Sequence, residues 1–263
     1  MDYITTFDKI TLKKITLTFG ENFATKNVFD FQLKDKIMQV ISVVRDFDTY
    51  NRLVKGNPFY SARTNFVAFD NRVENQGISK RYNSFLDNYD YSKSDWFLFC
   101  HEDWELKEPL EDRLTNLDKK CLYGPIGKIA DRKIDKYSGF VGMIEESKRD
   151  GSRLSFVGLD GCNLERAATF DCQCLIVHSS LVKEHHLRFD ENLIFDLYVE
   201  DFCMNARERF GIPSLILQMY CHHWSPGNIS EQKFLDKYAY LIEKYEPTKE
   251  WYSTTCCNIV IGK

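Results

Sequence analysis

With 263 residues, 43% hydrophobic and 28% charged, the chain has the make-up of a folded globular protein, which excludes wholesale disorder, collagen-like repeats and a coiled coil. Its 35 basic and 39 acidic residues leave a net charge of −4, no footprint for gripping a phosphate backbone, so nucleic acid is not an expected partner. No apolar run approaches the roughly 20 residues that span a bilayer. The first residues lack the basic start and apolar stretch of a signal peptide, and the 9 cysteines include no Cys-x-x-Cys, so the expectation is a cytoplasmic protein with reduced, mostly buried thiols.

Residues 1–36 mix short β-like runs, Ile10-Thr11-Leu12 and Ile15 to Phe19, with charge, and read as an N-terminal addition of short strands. From Met38 to Val44 the chain is a short apolar run of the kind found in buried parallel strands, and it ends at Arg45-Asp46. A helical stretch is predicted around Thr49 to Lys55, broken by Asn57-Pro58. Thr64 to Phe69 reads as a second strand stopping at Asp70-Asn71, which completes one βαβ unit. Tyr82, Phe85 and Leu86 share one helical face, with Ser79 as the expected N-cap. Trp96 to Cys100 is a third apolar strand, running directly into His101-Glu102-Asp103-Trp104-Glu105.

Strands alternating with helices at this spacing predict a doubly wound α/β fold, a mostly parallel central sheet flanked by helices, with ligands beyond the carboxyl ends of the strands. Asp46, Asp70 and residues His101 to Glu105 collect at those ends. The segment Gly124 to Gly161 holds 7 glycines and reads as loops over the sheet edge, part of a substrate cleft. Cys174 to Val177 is a further strand, Leu181 to His186 a short helix, and Leu215 to Tyr220 a strand ending in Cys221-His222-His223. Ser230 to Tyr245 places Phe234, Leu235, Tyr238, Leu241, Ile242 and Tyr245 on one stripe of a closing helix. The expected division is therefore an addition over 1–36, an α/β domain over 37–228, and a C-terminal helix and tail over 229–263.

The acidic turn carries the strongest chemical signal. Glu102, Asp103 and Glu105 with His101 form a hard-ligand cluster suited to Mg²⁺ or Mn²⁺ bridging a diphosphate; a solvated acidic loop is the competing reading. His222 and His223 are adjacent, so on an extended segment only one of them can face a metal. Trp104 and Trp224 flank these segments, where an indole can stack on a sugar or pack in the core. Glu200 and Asp201 form an acidic pair that also suits a helix N-terminus.

The turn His101-Glu102-Asp103-Trp104-Glu105-Leu106 resembles the DxD region of family 2 glycosyltransferases with the GT-A fold, most closely a bacterial polysaccharide subgroup whose third core strand ends in His-Asp-Asp-x-Glu-Leu. The resemblance continues through Leu187-Arg188-Phe189-Asp190-Glu191, the run Tyr198 to Gly211 with its Glu200-Asp201-Phe202-Cys203, and Cys221-His222-His223-Trp224-Ser225, in family order across residues 38–228. It implies transfer of a sugar from a nucleotide-diphosphate sugar to an acceptor hydroxyl, inverting and dependent on Mn²⁺ or Mg²⁺. Asp103 and His101 would meet the metal, with His223 as a distal ligand. Asp70 would hold the base or ribose, with Asp46, Asn75, Lys80, Asn83 and Glu102 beside it in the nucleotide site. The implied acceptor is a saccharide or lipid-linked saccharide in surface polysaccharide synthesis, which would bring the enzyme to the inner face of the membrane as a peripheral protein.

One departure stands out. Val199 falls where inverting relatives place their catalytic base, which leaves Glu200, Asp196 or Asp201 for that role, with Glu200 and Asp201 foremost. The same departure suits a nucleotide-sugar-binding module without catalysis, and the acidic and histidine residues also suit a metal-dependent phosphoesterase.

Overall fold

The computed structural model describes residues 36–129, 139–148, 150–152, 155–225, 231–246, 251–255 and 258–260. The strands expected at Ile10 to Leu12 and Ile15 to Phe19 lie outside the described residues. The chain opens with β1 (Met38–Val44), α1 (Phe47–Tyr50) continued by a π-helical turn (Asn51–Lys55), β2 (Thr64–Asp70), α2 (Ile78–Asn88), β3 (Trp96–Cys100), β4 (Trp104–Leu106) and α3 (Glu111–Leu114). Five strands follow, β5 (Leu122–Gly124), β6 (Ile126–Ile129), β7 (Phe140–Lys148), β8 (Ser155–Leu159) and β9 (Arg166–Phe170). Then come β10 (Cys174–His178), α4 (Ser179–His185), α5 (Tyr198–Phe210), β11 (Ser214–Ile216), β12 (Cys221–Ser225), α6 (Glu231–Tyr245) and a hairpin of β13 (Trp251–Ser253) with β14 (Asn258–Val260).

Twelve strands form one sheet in the order β2-β1-β3-β10-β5-β11-β9-β6-β7-β12-β4, with β8 on β7. Parallel pairing is confined to β1 with β2 and β3, β5 with β11, and β7 with β12. The other pairings are antiparallel, including β10 on β3. The expectation of a mostly parallel sheet is therefore corrected: the fold is mixed α/β with a mixed sheet. The reason is physical. An apolar run reports burial on both faces and says nothing about strand direction.

Double-sided burial is what the alternation along each central strand shows. Ile41, Phe97, Phe99, Leu175 and Val177 point into a core shared with α2, α4, α5 and α6. Their neighbours Met38, Val40, Val44, Trp96, Leu98, Cys100, Cys174 and Ile176 point into a second core with Tyr50, Val54, Trp104 and Leu114. Tyr82, Phe85 and Leu86 of α2 bury one helical face, as their spacing predicts. The N-cap position of α2 is Gly77, and Ser79 lies inside the first turn with its hydroxyl donating to the Leu193 carbonyl at 2.6 Å. Leu241 and Tyr245 of α6 are buried in the first core while Leu235 is exposed, so the closing stripe is narrower than its spacing suggests.

Among the described residues, the glycine-rich segment is also corrected, from loops to the strands β6, β7 and β8. Gly142 sits at φ +76° with the Pro125 carbonyl 2.1 Å from where a Cβ would lie, and Gly158 at φ +104° would meet the Gly142 carbonyl at 2.0 Å. These glycines let β7 and its neighbours approach closely. Likewise the expected strand from Leu215 to Tyr220 is two strands, β11 and β12, separated by residues 217–220.

Candidate metal and acid centre

The carboxyl end of β3 meets the edge of β12. His101 N donates to the Gln173 carbonyl at 3.1 Å, and Trp224 N donates to the Asp103 carbonyl at 2.9 Å, so the acidic turn is tied by its backbone on both sides. This brings one ligand atom each of His101, Asp103 and His223 to within 4.8 Å of one another. His223 Nε2 lies 3.5 Å from Asp103 Oδ1, and the two imidazole rings are 5.6 Å apart between centroids. Asp103 is 5% exposed, so its charge is held in a poorly solvated place where a cation is favoured. Two imidazoles and one carboxylate suit a divalent transition-metal ion better than Mg²⁺, which prefers all-oxygen ligands.

The protonation of the two histidines differs for stated reasons. Burial lowers the His101 pKa to about 4, against the opposing pull of Asp103, so the ring is neutral near pH 7. Its Nε2 is 3.0 Å from the Tyr198 hydroxyl, and that hydroxyl donates its single proton to the Cys172 carbonyl. The Nε2 position must therefore carry the hydrogen, which leaves Nδ1 with the lone pair a metal needs. Burial would also lower the His223 pKa, but hydrogen bonds to Asp103 and Glu146 outweigh it and raise the value to about 10.

The other acidic residues of the turn face elsewhere. Glu102 Oε2 accepts from Arg45 N at 2.5 Å and Asp46 N at 2.9 Å, joining the ends of β3 and β1. Glu105 pairs with Lys107 at 2.9 Å and accepts from Trp224 Nε1 at 2.9 Å. Trp104 is fully buried in the second core, and Trp224 stacks on His222 with centroids 4.1 Å apart. His222 and His223 do point to opposite sides of β12: His222 reaches Ser147 at 2.7 Å and Glu145 at 3.4 Å.

The expected nucleotide residues divide into two groups. Asp46 caps α1, accepting from Asp48 N and Thr49 N at 3.1 Å each, and Asp70 accepts from Arg72, whose guanidinium lies 4.7 Å over the Phe47 ring. Hydrogen bonds from Arg72 lower the exposed Asp70 carboxyl to about 2. With Val44 paired to Asp70 in the β1–β2 register, Asp46, Asp70 and Glu102 share the carboxyl edge of the three strands. Asn75 accepts from Asn71 at 3.3 Å and Lys80 is exposed on α2. Asn83 of α2 is buried, its amide bonded to Phe189 N, the Phe189 carbonyl and Glu191.

The acidic pair on α5 divides sharply. Leu197, buried and at φ +60°, turns the chain into the first turn of α5 in a conformation that costs a non-glycine residue about 1–3 kcal/mol. Val199 then packs in the first core. Asp201 Oδ1 accepts from Lys244 at 2.7 Å and Tyr245 at 2.8 Å, and Lys244 also reaches Asp190 at 2.6 Å. Glu200 is fully buried, and among the described residues neither of its carboxyl oxygens has a hydrogen-bond partner, nor does Asp201 Oδ2. Burial, with the charges of Asp171, Asp196 and Asp201, raises its pKa well above the usual range. Asp171 also acts electrostatically on His101 and His223. Above the cluster, Phe195 stacks on His101 with centroids 5.5 Å apart while remaining 55% exposed.

The sequence assigns no site role to Glu146, Asp171, Phe195, Lys244 or Tyr245. Glu146 lay in a stretch read as loops, and Lys244 meets Asp201 across 43 positions, a separation that no local pattern reports.

No protein-family model matches the chain, and no curated protein matches it. Among solved structures it is similar to GalNAc-T7 with UDP, GalNAc and Mn²⁺, at 10% identity and TM-score 0.48 over 79% of this chain and 48% of that one. It is also similar to TarS 1-349 of S. aureus in complex with UDP, at 13% identity and TM-score 0.46 over 79% and 65% of the two chains. A third similarity is to the inositol-1-phosphate CTP transferase of T. maritima, at 12% identity and TM-score 0.35 over 76% and 94%. The chain spans about half the length of the GalNAc-T7 structure. Among the described residues, no helix is long and apolar enough to cross a membrane.

Proposed function

We propose that the protein is a metal-dependent glycosyltransferase of the GT-A type, related to family 2, that moves a hexosyl group from a nucleotide-diphosphate sugar to an acceptor hydroxyl with inversion. The observation that carries this reading is the convergence of His101, Asp103 and His223 beside the strand edge that holds Asp46, Asp70 and Glu102. Ligands of open α/β sheets bind in that position. His101, Asp103 and His223 would hold a divalent ion, which would neutralise charge on the departing diphosphate. Tyr198 holds the His101 ring so that its unprotonated nitrogen is available.

On the same reading, the proton of the attacking hydroxyl goes to Glu200. Asp201 Oδ1 is committed to Lys244 and Tyr245, leaving only Oδ2 without a partner, whereas neither Glu200 oxygen has one among the described residues; burial favours protonated Glu200, so it serves as the base only after it ionises. Glu200 is enclosed, so an acceptor hydroxyl reaches it only when its surroundings open. A saccharide or lipid-linked saccharide in surface polysaccharide synthesis is the acceptor class we favour, with the protein acting at the inner face of the membrane.

The test is a thermal-shift comparison of UDP, GDP, CDP and dTDP with and without Mn²⁺, followed by product analysis with the matching nucleotide sugar. Binding to the folded state raises the midpoint only for a nucleotide that fits. A new glycoside supports the transferase. Free sugar identifies a hydrolase, and binding without turnover identifies a non-catalytic module.

A further inference from the structure

We infer that Glu146 is the positioning residue of His223, setting which ring nitrogen faces the metal cluster. The inference rests on the metal reading above and concerns a side chain on a different strand from every proposed ligand. β7 and β12 run parallel with His222 opposite Glu145 and His223 opposite Glu146. Side chains alternate across a strand, so the register creates two carboxylate–imidazole pairs on opposite faces of the sheet.

The two pairs have different surroundings. On one face, His222 Nδ1 is 3.4 Å from Glu145, its Nε2 is 2.7 Å from Ser147 Oγ, and the Trp224 indole lies flat against the ring. Both nitrogens are taken, and the ring is closed off as a structural lock between the strands. On the other face, His223 Nδ1 is 3.5 Å from Glu146 Oε1, while Nε2 points to Asp103 at 3.5 Å. Glu146 therefore holds the Nδ1 side and leaves Nε2 as the nitrogen presented to His101 and Asp103. A histidine oriented in this way by a carboxylate is a better ligand, and losing such an outer partner costs about 10- to 100-fold in metal affinity.

The test is a titration of the purified chain with Mn²⁺, following free Mn²⁺ by electron paramagnetic resonance, for wild type, Glu146→Ala, Glu146→Gln, Glu145→Gln and Asp103→Asn. Thermal midpoints without metal check that each variant folds. Glu146→Ala is expected to bind roughly 10- to 100-fold more weakly. Glu146→Gln is expected to recover much of the loss, because its amide oxygen still accepts from Nδ1–H, and Glu145→Gln to bind as wild type. Weakening by Asp103→Asn with no change in Glu146→Ala overturns the positioning role alone. Equal loss in Glu146→Gln and Glu146→Ala also overturns it, since charge and not orientation would then be responsible. A wild-type chain without Mn²⁺ affinity, or an Asp103→Asn variant with undiminished affinity, overturns the metal reading and this inference with it.

Discussion

The metal cluster and the first turn of α5 are held by opposite means. His101, Asp103 and His223 sit at the ends and edges of strands whose backbone hydrogen bonds fix them from both sides. Glu200 and Asp201 sit after a left-handed Leu197, on a turn fixed by side chains of the distant α6. In the first region, position follows from the ladder. In the second, two adjacent carboxylates receive different duties: Asp201 ties α5 to α6, and Glu200 stays buried and unpartnered. An unpartnered buried carboxyl is costly to keep, and the residue that bears such a cost is the better candidate for chemistry.

The sharpest way to break this contrast is to exchange the duties by mutation. Glu200→Gln should lower turnover by roughly 10²- to 10⁴-fold, the usual contribution of a general base, with donor affinity little changed. Its thermal midpoint should fall less than that of Asp201→Asn, because no ion pair is lost. Asp201→Asn should do the reverse, lowering the midpoint by weakening the Lys244 and Tyr245 contacts. Turnover of both variants, set against donor dissociation constants and melting curves, decides the matter: near-normal turnover in Glu200→Gln sinks the assignment.

A somewhat smaller effect is expected on the strand side. Asp103→Asn should weaken Mn²⁺-dependent nucleoside-diphosphate binding by at least the ~10- to 100-fold that loss of an outer partner costs, since Asp103 would be a direct ligand. Calorimetric titration with and without Mn²⁺ gives the comparison, and the metal-free nucleotide affinity should not move. An equal loss without metal would mean that the variant damages the pocket itself.

Next in size is Lys244→Met, which probes the clamp alone. Lys244 joins Asp190 and Asp201, and the side chain is 27% exposed, so the loss should lie between the ~1 kcal/mol of an exposed pair and the ~3–5 kcal/mol of a buried one. Denaturant unfolding measures it. If turnover collapses as far as in Glu200→Gln while stability holds, the clamp belongs to the chemistry and the division of duties is wrong.

How much of this was readable beforehand follows from which forces are local. Strands β1, β3 and β10 are visible as apolar runs because both of their faces are buried. Their directions are not, and β10 runs antiparallel to β3 although its sequence has the same texture. Gly142 and Gly158 look like loop residues in sequence, whereas close backbone approach is what requires them. In the site, His101, Asp103 and His223 stand out by residue type. Glu146 does not, because its meaning depends on the β7–β12 register, and the unlike fates of Glu200 and Asp201 depend on a lysine far along the chain.

The smallest expected effect sharpens the contrast through pH. Glu111, at the start of α3, is a partnered buried carboxylate facing the start of β2: burial would raise its pKa, but hydrogen bonds from Thr64, at 2.6 Å, and from Ser61 N, at 2.7 Å, hold it below the usual value. A carboxyl whose folded pKa is depressed contributes stability that is complete above the unfolded value of ~4.3 and fades as pH falls through the folded one. Glu200 has the opposite sign. Its folded pKa is raised, so the folded state keeps a proton that the unfolded chain gives up above pH ~4.3, and the protein loses stability as pH rises toward the folded value. Removing each group should therefore tilt the pH profile in opposite directions. Relative to wild type, Glu111→Gln should be most destabilised at neutral pH and converge with it below pH ~4, whereas Glu200→Gln should gain on wild type between pH ~4 and neutrality. Thermal midpoints of the three proteins across pH 3 to 8 supply the measurement. Parallel profiles for wild type and Glu200→Gln would show that Glu200 titrates as an ordinary solvated carboxyl, and would remove the ground for separating it from Asp201.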